Sequence, residues 1–542
     1  MRNRVLPLSF RRPFEALSAI LLILLYGCSP SVNLDGTELE VPGAQGKSEE
    51  PEATVEITLS GKLDETALRA ALPSGDLLAS NKLIAAKDLR AVFYSLNDLG
   101  KPDTVRFAFD RSFEIFRGKA TGEDLEDFSF QTRTIKFKGS ELIPMDDYAV
   151  VCFLSPSAEL KARTAVGKRF DALTEAVALE EFMNTGILQY SIYSNLDAPV
   201  YLKKEHLQKE AQAHSGALDI QAANLKALNG LVYLTADPVT ESKDYYIPKN
   251  RLFYAHLNVA NKTLIPLPGK TKIALNGGME VFLPQDNNYN TTLLSDAGLR
   301  EQFRYFSEKD LNIINYYSFT GASGATERAN WAMAVPENTV SHLSLDSKTV
   351  TQVVLRVPMY PVSLLPQIGA GNKDTVEEGW LSIKDGTCYL FSDFKKEYDS
   401  ILRLEEAKRT EKQRAIVAAA RELIAATKGT TPDKLSASEP FMAPKTAYAG
   451  KLVKNHPSGL VFFSFPIRHF DDDKQPDTSS DGRYGVVRNT LYYYHVKSFP
   501  GLGATTFPEI SGIVRKYDEE IDSQIGAGVF ELPELISREI DL

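Results

Sequence analysis

The chain has 542 residues, which is too long for a single domain and leaves room for two or three large all-β domains. Its hydrophobic fraction of 43% and charged fraction of 24% are ordinary for a globular protein, and its net charge of -10 argues against nucleic acid as a partner, because a phosphate backbone requires a basic surface. The 3 cysteines are too few for a disulfide scaffold.

Residues 1–27 have the pattern of a leader sequence. Arginines precede an apolar run at residues 16–25, which is short for a transmembrane helix and fits the hydrophobic region of a signal peptide. Leu25 and Gly27 precede Cys28 as in a bacterial lipobox, so we expect Cys28 to become the lipidated first residue, with a single-pass anchor helix as the alternative. Residues 28–52 are rich in Ser, Gly, Pro and Glu, which predicts a flexible tether.

A single predicted strand follows the tether. Over residues 53–60 apolar side chains alternate with polar ones, which predicts one apolar and one polar face. The apolar positions are Val55, Ile57 and Leu59. Arg69 is the first arginine after the leader and precedes Ala70, so a protease specific for arginine would cleave there if the segment is exposed. We expect the protein to become active when residues 53–69 are lost.

Short apolar or alternating segments separated by turn residues follow, which indicates a β-sandwich rather than a parallel sheet. Residues 148–154 form a continuous apolar run and predict a central buried strand, whereas the composition of residues 160–182 predicts a helix. Pro and Gly in residues 260–270 indicate a domain boundary, which assigns residues 70–262 to a first β-sandwich domain. The other strands predicted here are 83–94, 104–109, 132–138, 200–202, 230–235 and 252–259.

The second part repeats the strand pattern around one long predicted helix. Residues 397–428 lack Gly and Pro, end before Gly429 and carry apolar side chains at helical spacing. We expect an inserted helix that packs on the second domain, with a partner-binding helix as the alternative. Its apolar stripe consists of Ile416, Ala420, Leu423 and Ile424.

A second β-sandwich domain is predicted at residues 263–515, so the predicted fold class is all-β with a few inserted helices. Asp385 and Gly386 join two apolar segments in the manner of a hairpin turn. The strands predicted in this domain are 348–357, 380–383, 388–391, 460–465 and 491–496.

The motifs of common enzyme chemistry are missing from the sequence: HExxH, the P-loop, GxSxG and CxxC do not occur. Gly501 and Gly503 lack the third glycine of a dinucleotide site. We therefore expect a protein that is not an enzyme and has no cofactor and no metal, with a surface hydrolase of unfamiliar site as an alternative.

Two small features leave other chemistry open. His469 stands near an acidic run at residues 471–473, where a calcium loop is conceivable, but the spacing is not that of an EF-hand and we interpret the run as a solvated loop. We interpret Cys152 and Cys388 as small buried apolar residues, with a disulfide between them as the alternative.

Several motifs resemble a known family in their order and spacing. They are LNVANK at residues 257–262, PENT at 336–339, FPIRH at 465–469, GRYGVVRN at 482–489, VKSF at 496–499 and GLG at 501–503. Together they resemble the fimbrillins, the structural subunits of Bacteroidales type V fimbriae, and most of all the minor-fimbrium (Mfa-like) shaft subunits. Cys28 and the Arg69-Ala70 pair fall where that family has its lipid site and its cleavage site.

The resemblance implies two transthyretin-like β-sandwich domains in tandem and export as an outer-membrane lipoprotein precursor. An arginine-specific surface protease would cleave after Arg69, and the chain would join other copies and accessory fimbrial subunits in a cell-surface fimbrium that supports adhesion. Polymerisation would proceed by strand exchange, in which a strand of the next subunit replaces residues 53–60 in an apolar groove.

The C-terminal tail at residues 516–542 is the expected donor of that strand. Its apolar residues of one parity are Phe530, Leu532, Ile536, Ile540 and Leu542. The alternative function is a monomeric adhesin anchored to the outer membrane, or an accessory or tip subunit of a fimbrium.

Overall fold

Short strands joined by turns make up most of the described chain, so the fold is mostly β, as predicted. The computed structural model describes residues 88–112, 146–180, 192–203, 226–236, 241–274, 280–289, 295–307, 310, 316–318, 330–341, 348–469, 484–496, 498–499, 501–507 and 525–531. The strands predicted at residues 53–60 and 132–138 lie outside these ranges.

Sheet A is formed by six of the first seven strands of the described chain, all but the fourth. These strands, with one helix among them, are β1 (Asp88–Leu96), β2 (Pro102–Ser112), β3 (Tyr148–Leu154), α1 (Ala158–Arg163), β4 (Val177–Ala178), β5 (Tyr193–Ser194), β6 (Val200–Leu202) and β7 (Lys226–Ala227). Sheet A has the order β2–β1–β3–β5–β7, and β6 also pairs with β3. Every residue of β3 is buried, which confirms the central strand predicted from its apolar run.

The remaining elements form several further sheets. The strands are β8 (Gly230–Ala236), β9 (Tyr245–Tyr246), β10 (Leu252–Leu257), β11 (Val259–Asn261), β12 (Thr263–Leu264), β13 (Gly269–Ala274), β14 (Glu280–Gln285), β15 (Phe303–Tyr305), β16 (Tyr316–Ser318), β17 (Asn330–Val335), β18 (Asn338–Thr339), β19 (Gln352–Pro358), β20 (Tyr360–Pro361), β21 (Trp380–Ile383), β22 (Cys388–Leu390), β23 (Tyr448–Ala449), β24 (Val453–His456), β25 (Leu460–Pro466), β26 (Gly485–Val486), β27 (Thr490–Val496) and β28 (Ile525–Glu531). The helices are α2 (Asp296–Gln302), α3 (Leu365–Ile368), α4 (Phe391–Leu402) and α5 (Glu411–Lys428).

Two four-stranded sheets organise the second part of the fold. Sheet B has the order β16–β10–β19–β25, and sheet C has the order β17–β8–β27–β28. All their pairs are antiparallel except β8 with β27, which run parallel. A single apolar core joins sheets A, B and C, since it contains Val151, Leu355 and Tyr492. Removal of any one of these sheets would therefore expose apolar surface of the other two to solvent.

A helical module has its own apolar core. Sheet D, with the order β22–β21–β24–β23, packs with α4 and α5 around residues such as Phe394, Tyr398 and Phe441. The predicted stripe of α5 is buried in this core, and Gly429 ends the helix at φ 63°. The predicted hairpin turn is also confirmed, because β21 pairs with β22.

The helix predicted at residues 160–182 is wrong beyond Arg163. The hydroxyl of Thr164 donates to the Leu160 carbonyl, and Gly167 takes a left-handed φ of 85°. A 3-10 helix at Phe170–Thr174 and the strand β4 follow. Helical composition is a weak prior, and here the pairing of β4 with β12 overrides it.

The single helix predicted at residues 397–428 is two helices. α4 ends at Leu402, and α5 begins after Thr410, whose side chain accepts from the Gln413 backbone while the Gln413 side chain accepts from the Thr410 backbone. This capping box satisfies free backbone donors, and it starts a new helix in a segment that has no Gly or Pro to mark the break.

The residues around the boundary expected at 262 and 263 are held in sheets rather than forming a linker. β11 pairs with β15 and β12 pairs with β4, while β8 and β10, which precede the boundary, pair with later strands of sheets B and C. The division into two β-sandwich domains at this point stays a prediction. The change from sheet A to the later sheets falls between β7 and β8.

Candidate functional site

β27 is the strand on which the C-terminal part of the fold is built. Tyr492, Tyr494 and Val496 are buried on one face of sheet C. The Tyr492 hydroxyl accepts from the Val487 backbone at 2.7 Å and lies 3.0 Å from Nδ1 of His469. Burial raises the pKa of Tyr492 and Tyr494 far above the ordinary tyrosine value, so both phenols stay neutral and act as hydrogen-bonding parts of the core.

β28 occupies the edge of sheet C. It pairs antiparallel with β27, and the register places Val529 opposite Tyr492 and Phe530 opposite Leu491. Part of the predicted donor tail is thus paired within its own chain. The other predicted donor residues lie outside the described ranges: Leu532, Ile536, Ile540 and Leu542.

An ion pair between Glu337 and Arg488 lies where several short strands meet. Nε of Arg488 donates to both Glu337 carboxylate oxygens, at 2.9 and 3.0 Å, and its backbone N–H donates to the same group at 3.1 Å. The guanidinium also donates to the carbonyls of Ile265 and Pro266 at 2.7 and 2.8 Å. The Glu337 side chain is 1% exposed and that of Arg488 is 13% exposed, so this planar cation joins β12, β18 and β27 inside the protein.

Asp286 is a second buried carboxylate of this junction. It follows β14 and accepts from the backbone of Thr339 at 2.6 Å, from Asn288 at 2.7 Å and from the Asn261 side chain at 3.0 Å. Burial and, to a smaller extent, the negative charge of Glu337 raise its pKa to about 7, against the opposite effect of the hydrogen bonds from Thr339 and Asn288. The group therefore titrates near neutral pH.

Residues 501–507 form a strap over sheet B. Ala504 exchanges backbone hydrogen bonds with Phe462 of β25, and the Phe507 ring stacks on His256 of β10 at 4.9 Å. Oγ1 of Thr505 lies 3.4 Å from Nε2 of His456. Burial lowers the pKa of both histidines to about 4, so two neutral imidazoles hold the segment that leads to β28.

The structure brings together the motifs quoted for the resemblance and leaves other predicted residues aside. Motif residues Glu337 and Arg488 form an ion pair beside β18 and β27, although nothing in the sequence pairs them. Arg468 of a third motif forms a β-bridge with Tyr484 of the fourth. The predicted lipid, cleavage and exchanged-strand positions lie outside the described ranges: Cys28, Arg69, Ala70, Val55, Ile57 and Leu59. Asp286 was missed, and its only signal is an acidic residue directly after an apolar strand.

The described ranges include two of the cysteines and many side chains of the types that can bind a metal ion. Cys152 and Cys388 are both free. Cys152 is buried, as the favoured interpretation predicts, whereas Cys388 is only partly buried, so that interpretation is wrong for it. No set of three or more His, Cys, Asp or Glu side chains in these ranges is placed to hold a metal ion. Among the same residues, no helix combines the length and apolar character needed to span a membrane.

The strand order and the buried junction define a mostly β protein with an inserted helical module. Residues 455–532, which run from β24 through β28, match the family described as "Major fimbrial subunit protein type IV, Fimbrillin, C-terminal". The resemblance to the fimbrillins seen in the sequence is thus confirmed for residues 455–532. No curated protein matches the chain.

Solved structures of low similarity include proteins described as cell adhesion and tip fimbrial proteins. A protein described as a cell adhesion protein from Bacteroides eggerthii has 11% identity and a TM-score of 0.35, with 90% of this chain and 97% of that chain covered. The tip fimbrial protein Mfa3 from Porphyromonas gingivalis has 10% identity and a TM-score of 0.28, with 82% and 94% covered. The fold assignment rests on the strands described above and not on these scores.

Proposed function

We propose that this chain is a structural subunit of a cell-surface fimbrium. It is exported as an outer-membrane lipoprotein with Cys28 lipidated, cleaved after Arg69 and polymerised by strand exchange with other copies and accessory subunits. The observation that carries the proposal is the fimbrillin match at residues 455–532, which contains the β27–β28 edge of sheet C. The role is structural, so no catalytic group is required.

The edge position of β28 gives strand exchange a physical basis. An edge strand has one neighbour, here β27, and the backbone groups on its other side are not paired within sheet C. Gly526 and Gly528 lie within β28, and glycine lowers the stability of a strand because it loses more conformational entropy on ordering. Detachment of β28 would expose the tyrosine-rich edge of β27 and free the tail for a neighbouring subunit.

The N-terminal strand requires an apolar groove, and in this proposal the groove lies on one face of sheet A. Phe93 of β1 and Val150 and Cys152 of β3 are on one face of this sheet and are at most 1% exposed. In the proposal, Val55, Ile57 and Leu59 cover this face until cleavage after Arg69 removes them. A complementary strand from another copy then restores the burial.

Protease treatment of the purified precursor tests the proposal. An arginine-specific protease should yield a chain that begins at Ala70, seen by mass spectrometry, and a ladder of polymers on a gel under mild denaturation. A variant that lacks residues 525–542 should be trimmed in the same way but form no ladder. If the trimmed wild-type chain stays monomeric, the fimbrial shaft role is wrong.

The Cys152 thiol reports on the groove. In a Cys28→Ser, Cys388→Ser background the only thiol left is buried, and burial raises its pKa to about 12, so a maleimide reagent should not label the precursor. Labelling should appear after cleavage at Arg69 and disappear on polymerisation. Equal labelling before and after cleavage would show that residues 53–69 do not cover this face.

A second function is favoured by the pairing of β28 within its own chain. A subunit whose tail stays on β27 does not extend a polymer and acts as an accessory or tip subunit, or as an anchored monomeric adhesin. A chain that lacks residues 525–542, does not polymerise alone and still joins fimbriae built by other subunits would support a tip role, because a tip accepts a strand and donates none.

A further inference from the structure

The strap at residues 501–507 is a lightly held segment on the edge of sheet B. Ala504 exchanges backbone hydrogen bonds of 2.8 and 2.9 Å with Phe462, so it forms a one-residue extension of the sheet beyond its edge strand β25. Thr505 is buried, whereas the other strap residues are partly or fully exposed. A segment with so few buried contacts opens at a lower cost in free energy than the core of the fold.

The strap has a fixed end and a flexible start. Phe499, just before it, is 7% exposed, and its backbone N–H donates to the Tyr245 hydroxyl at 3.3 Å. Gly501 then takes a φ of 147°, and Gly503 lies so close to β25 that a Cβ would be 2.6 Å from the Phe462 carbonyl oxygen. The chain after Phe499 can therefore move away from sheet B while Phe499 stays in the core.

The strap covers the ring of His256. The Phe507 ring stacks on this imidazole, with the ring centroids 4.9 Å apart. Nδ1 of His256 lies 3.0 Å from the Leu257 carbonyl oxygen, which places the proton of the neutral ring on that nitrogen. Nε2 is buried and has no hydrogen-bond partner among the described residues. A second proton on this ring would therefore be buried on a nitrogen without an acceptor.

The strap also covers the second nitrogen of His456. Nδ1 of this ring lies 3.2 Å from the Leu460 carbonyl oxygen and carries the proton of the neutral form. Nε2 lies 3.4 Å from Oγ1 of Thr505, whose hydroxyl is placed to donate to it. A protonated Nε2 can no longer accept from Thr505, so this contact also requires a neutral ring.

The charged groups around the two rings add to the effect of burial. Burial lowers the pKa of both histidines to about 4, and Arg356 of β19 acts in the same direction on His256, while Asp310 opposes it. Lys454 of β24 lowers the pKa of His456 further. Neither β25 nor the strap contains a charged side chain. Opening of the strap would let water reach both rings and ease their protonation.

We propose that the strap is an acid-released latch on the edge of sheet B. It stays closed while His256 and His456 are neutral, and protonation detaches it because both rings then gain the hydration that the closed strap denies them. Detachment would leave the outer edge of β25 unpaired and free the segment that leads to β28. The latch operates within one chain, so it does not require the fimbrial role.

Hydrogen–deuterium exchange of the uncleaved chain at pH 7.5 and pH 5 tests the latch. In the open strap each ring regains the ordinary pKa of 6.5, so each histidine should raise the open population about 30-fold at pH 5, and the two together about 10³-fold. The Phe462 amide, which donates to Ala504, should lose protection by this factor after correction for the intrinsic exchange rate. The amides of β19, which lies between β10 and β25, are the internal control and should keep more of their protection.

Two variants act on the latch by different routes. A double variant, His256→Gln with His456→Gln, has no titrating group under the strap and should keep Phe462 protected at pH 5. Gly503→Ala should open the strap by steric conflict with β25, so Phe462 should exchange fast already at pH 7.5, and this result does not depend on the folding of the histidine variant. Thr506→Ala is the matched control, because Thr506 is half-buried in the same strap, and it should behave as the wild type.

The latch is overturned if Phe462 has the same protection at pH 5 and pH 7.5, or if its protection falls only together with that of β19. It is also overturned if the double histidine variant loses protection in acid as the wild type does, or if Gly503→Ala behaves as Thr506→Ala. All these outcomes are independent of cleavage and polymerisation, since the exchange is measured on the uncleaved chain.

Discussion

The Glu337 carboxylate and the Arg488 guanidinium are 151 residues apart in the chain and joined by hydrogen bonds of 2.9 and 3.0 Å. A buried pair of this kind contributes little net stability compared with apolar residues of the same shape, because both charges lose their hydration. Removal of only one of the two charges leaves the other charge buried without a partner. The pair therefore fixes which strands meet here more than it adds to the free energy of unfolding.

The first prediction concerns this pair. Glu337→Gln should lower the free energy of unfolding by about 3–5 kcal/mol, because Arg488 keeps its charge and loses its counter-ion. Urea unfolding followed by circular dichroism measures the change. Asp399→Asn is the control, since Asp399 pairs with Lys395 on the surface of α4 and should cost less than about 1 kcal/mol. Equal effects of the two variants would contradict the role assigned to burial.

The second prediction is a dependence of stability on pH. His256 has a pKa of about 4 in the folded chain against an ordinary value of 6.5, mainly because of burial, and Arg356 acts in the same direction. The unfolded chain binds the proton more readily, so the stability is full above pH 6.5 and is lost as the pH falls towards 4. At pH 5 this one group should cost about 2 kcal/mol.

His256→Leu should remove that share of the acid sensitivity. The measurement is urea unfolding of both proteins at pH 7.5 and pH 5, in which the difference between the two pH values should shrink by about 2 kcal/mol in the variant. His456 contributes a similar slope in both proteins and cancels in the comparison. An unchanged pH dependence would show that His256 is not neutral in the folded state.

The third prediction concerns two glycines with positive φ. A Cβ on Gly485, at φ 122°, would lie 2.2 Å from the Asn338 carbonyl oxygen, since β26 and β18 approach closely there. Gly386, at φ 86°, would place its Cβ in open space. Gly386→Ala should cost about 1 kcal/mol from backbone strain, and Gly485→Ala should cost more than about 3 kcal/mol because the strand pair must also separate. Thermal unfolding compares the two, and similar shifts would contradict the close approach.

The fourth prediction concerns the helical module. Leu423 is 1% exposed in the core of α4, α5 and sheet D, so Leu423→Ala should cost about 2–5 kcal/mol. Lys412→Ala, on the exposed side of α5, should change stability by less than about 0.5 kcal/mol. Denaturant unfolding monitored by helix content at 222 nm gives both values. A small effect of Leu423→Ala would mean that the module packs loosely.

The features that could be predicted from the sequence are those whose signals lie in a few adjacent residues. The buried strand β3, the Asp385-Gly386 hairpin and the end of α5 at Gly429 each depend on a few adjacent residues, and all three are confirmed. The break between α4 and α5 was missed because a capping box marks it without Gly or Pro. The helix predicted beyond Arg163 is wrong because composition alone carries no information on the pairing of β4 with β12.

The candidate site depended on distant partners and was less predictable. The sequence marked Glu337 and Arg488 as parts of separate motifs, but only the fold shows that they meet. Asp286 had no recognisable motif, because its partners Asn261 and Thr339 come from strands on either side of it in the chain.

The parallel pairing of β8 with β27 sets the order in which the fold can form. Leu231 pairs with Leu491, so the centre of sheet C stays open during synthesis until almost the whole polypeptide has emerged. Contacts between such distant positions slow folding, because a long loop must close before they form. Sheet C of a nascent chain therefore stays incomplete for most of its elongation, and the tertiary structure is completed only when the last strands have been made.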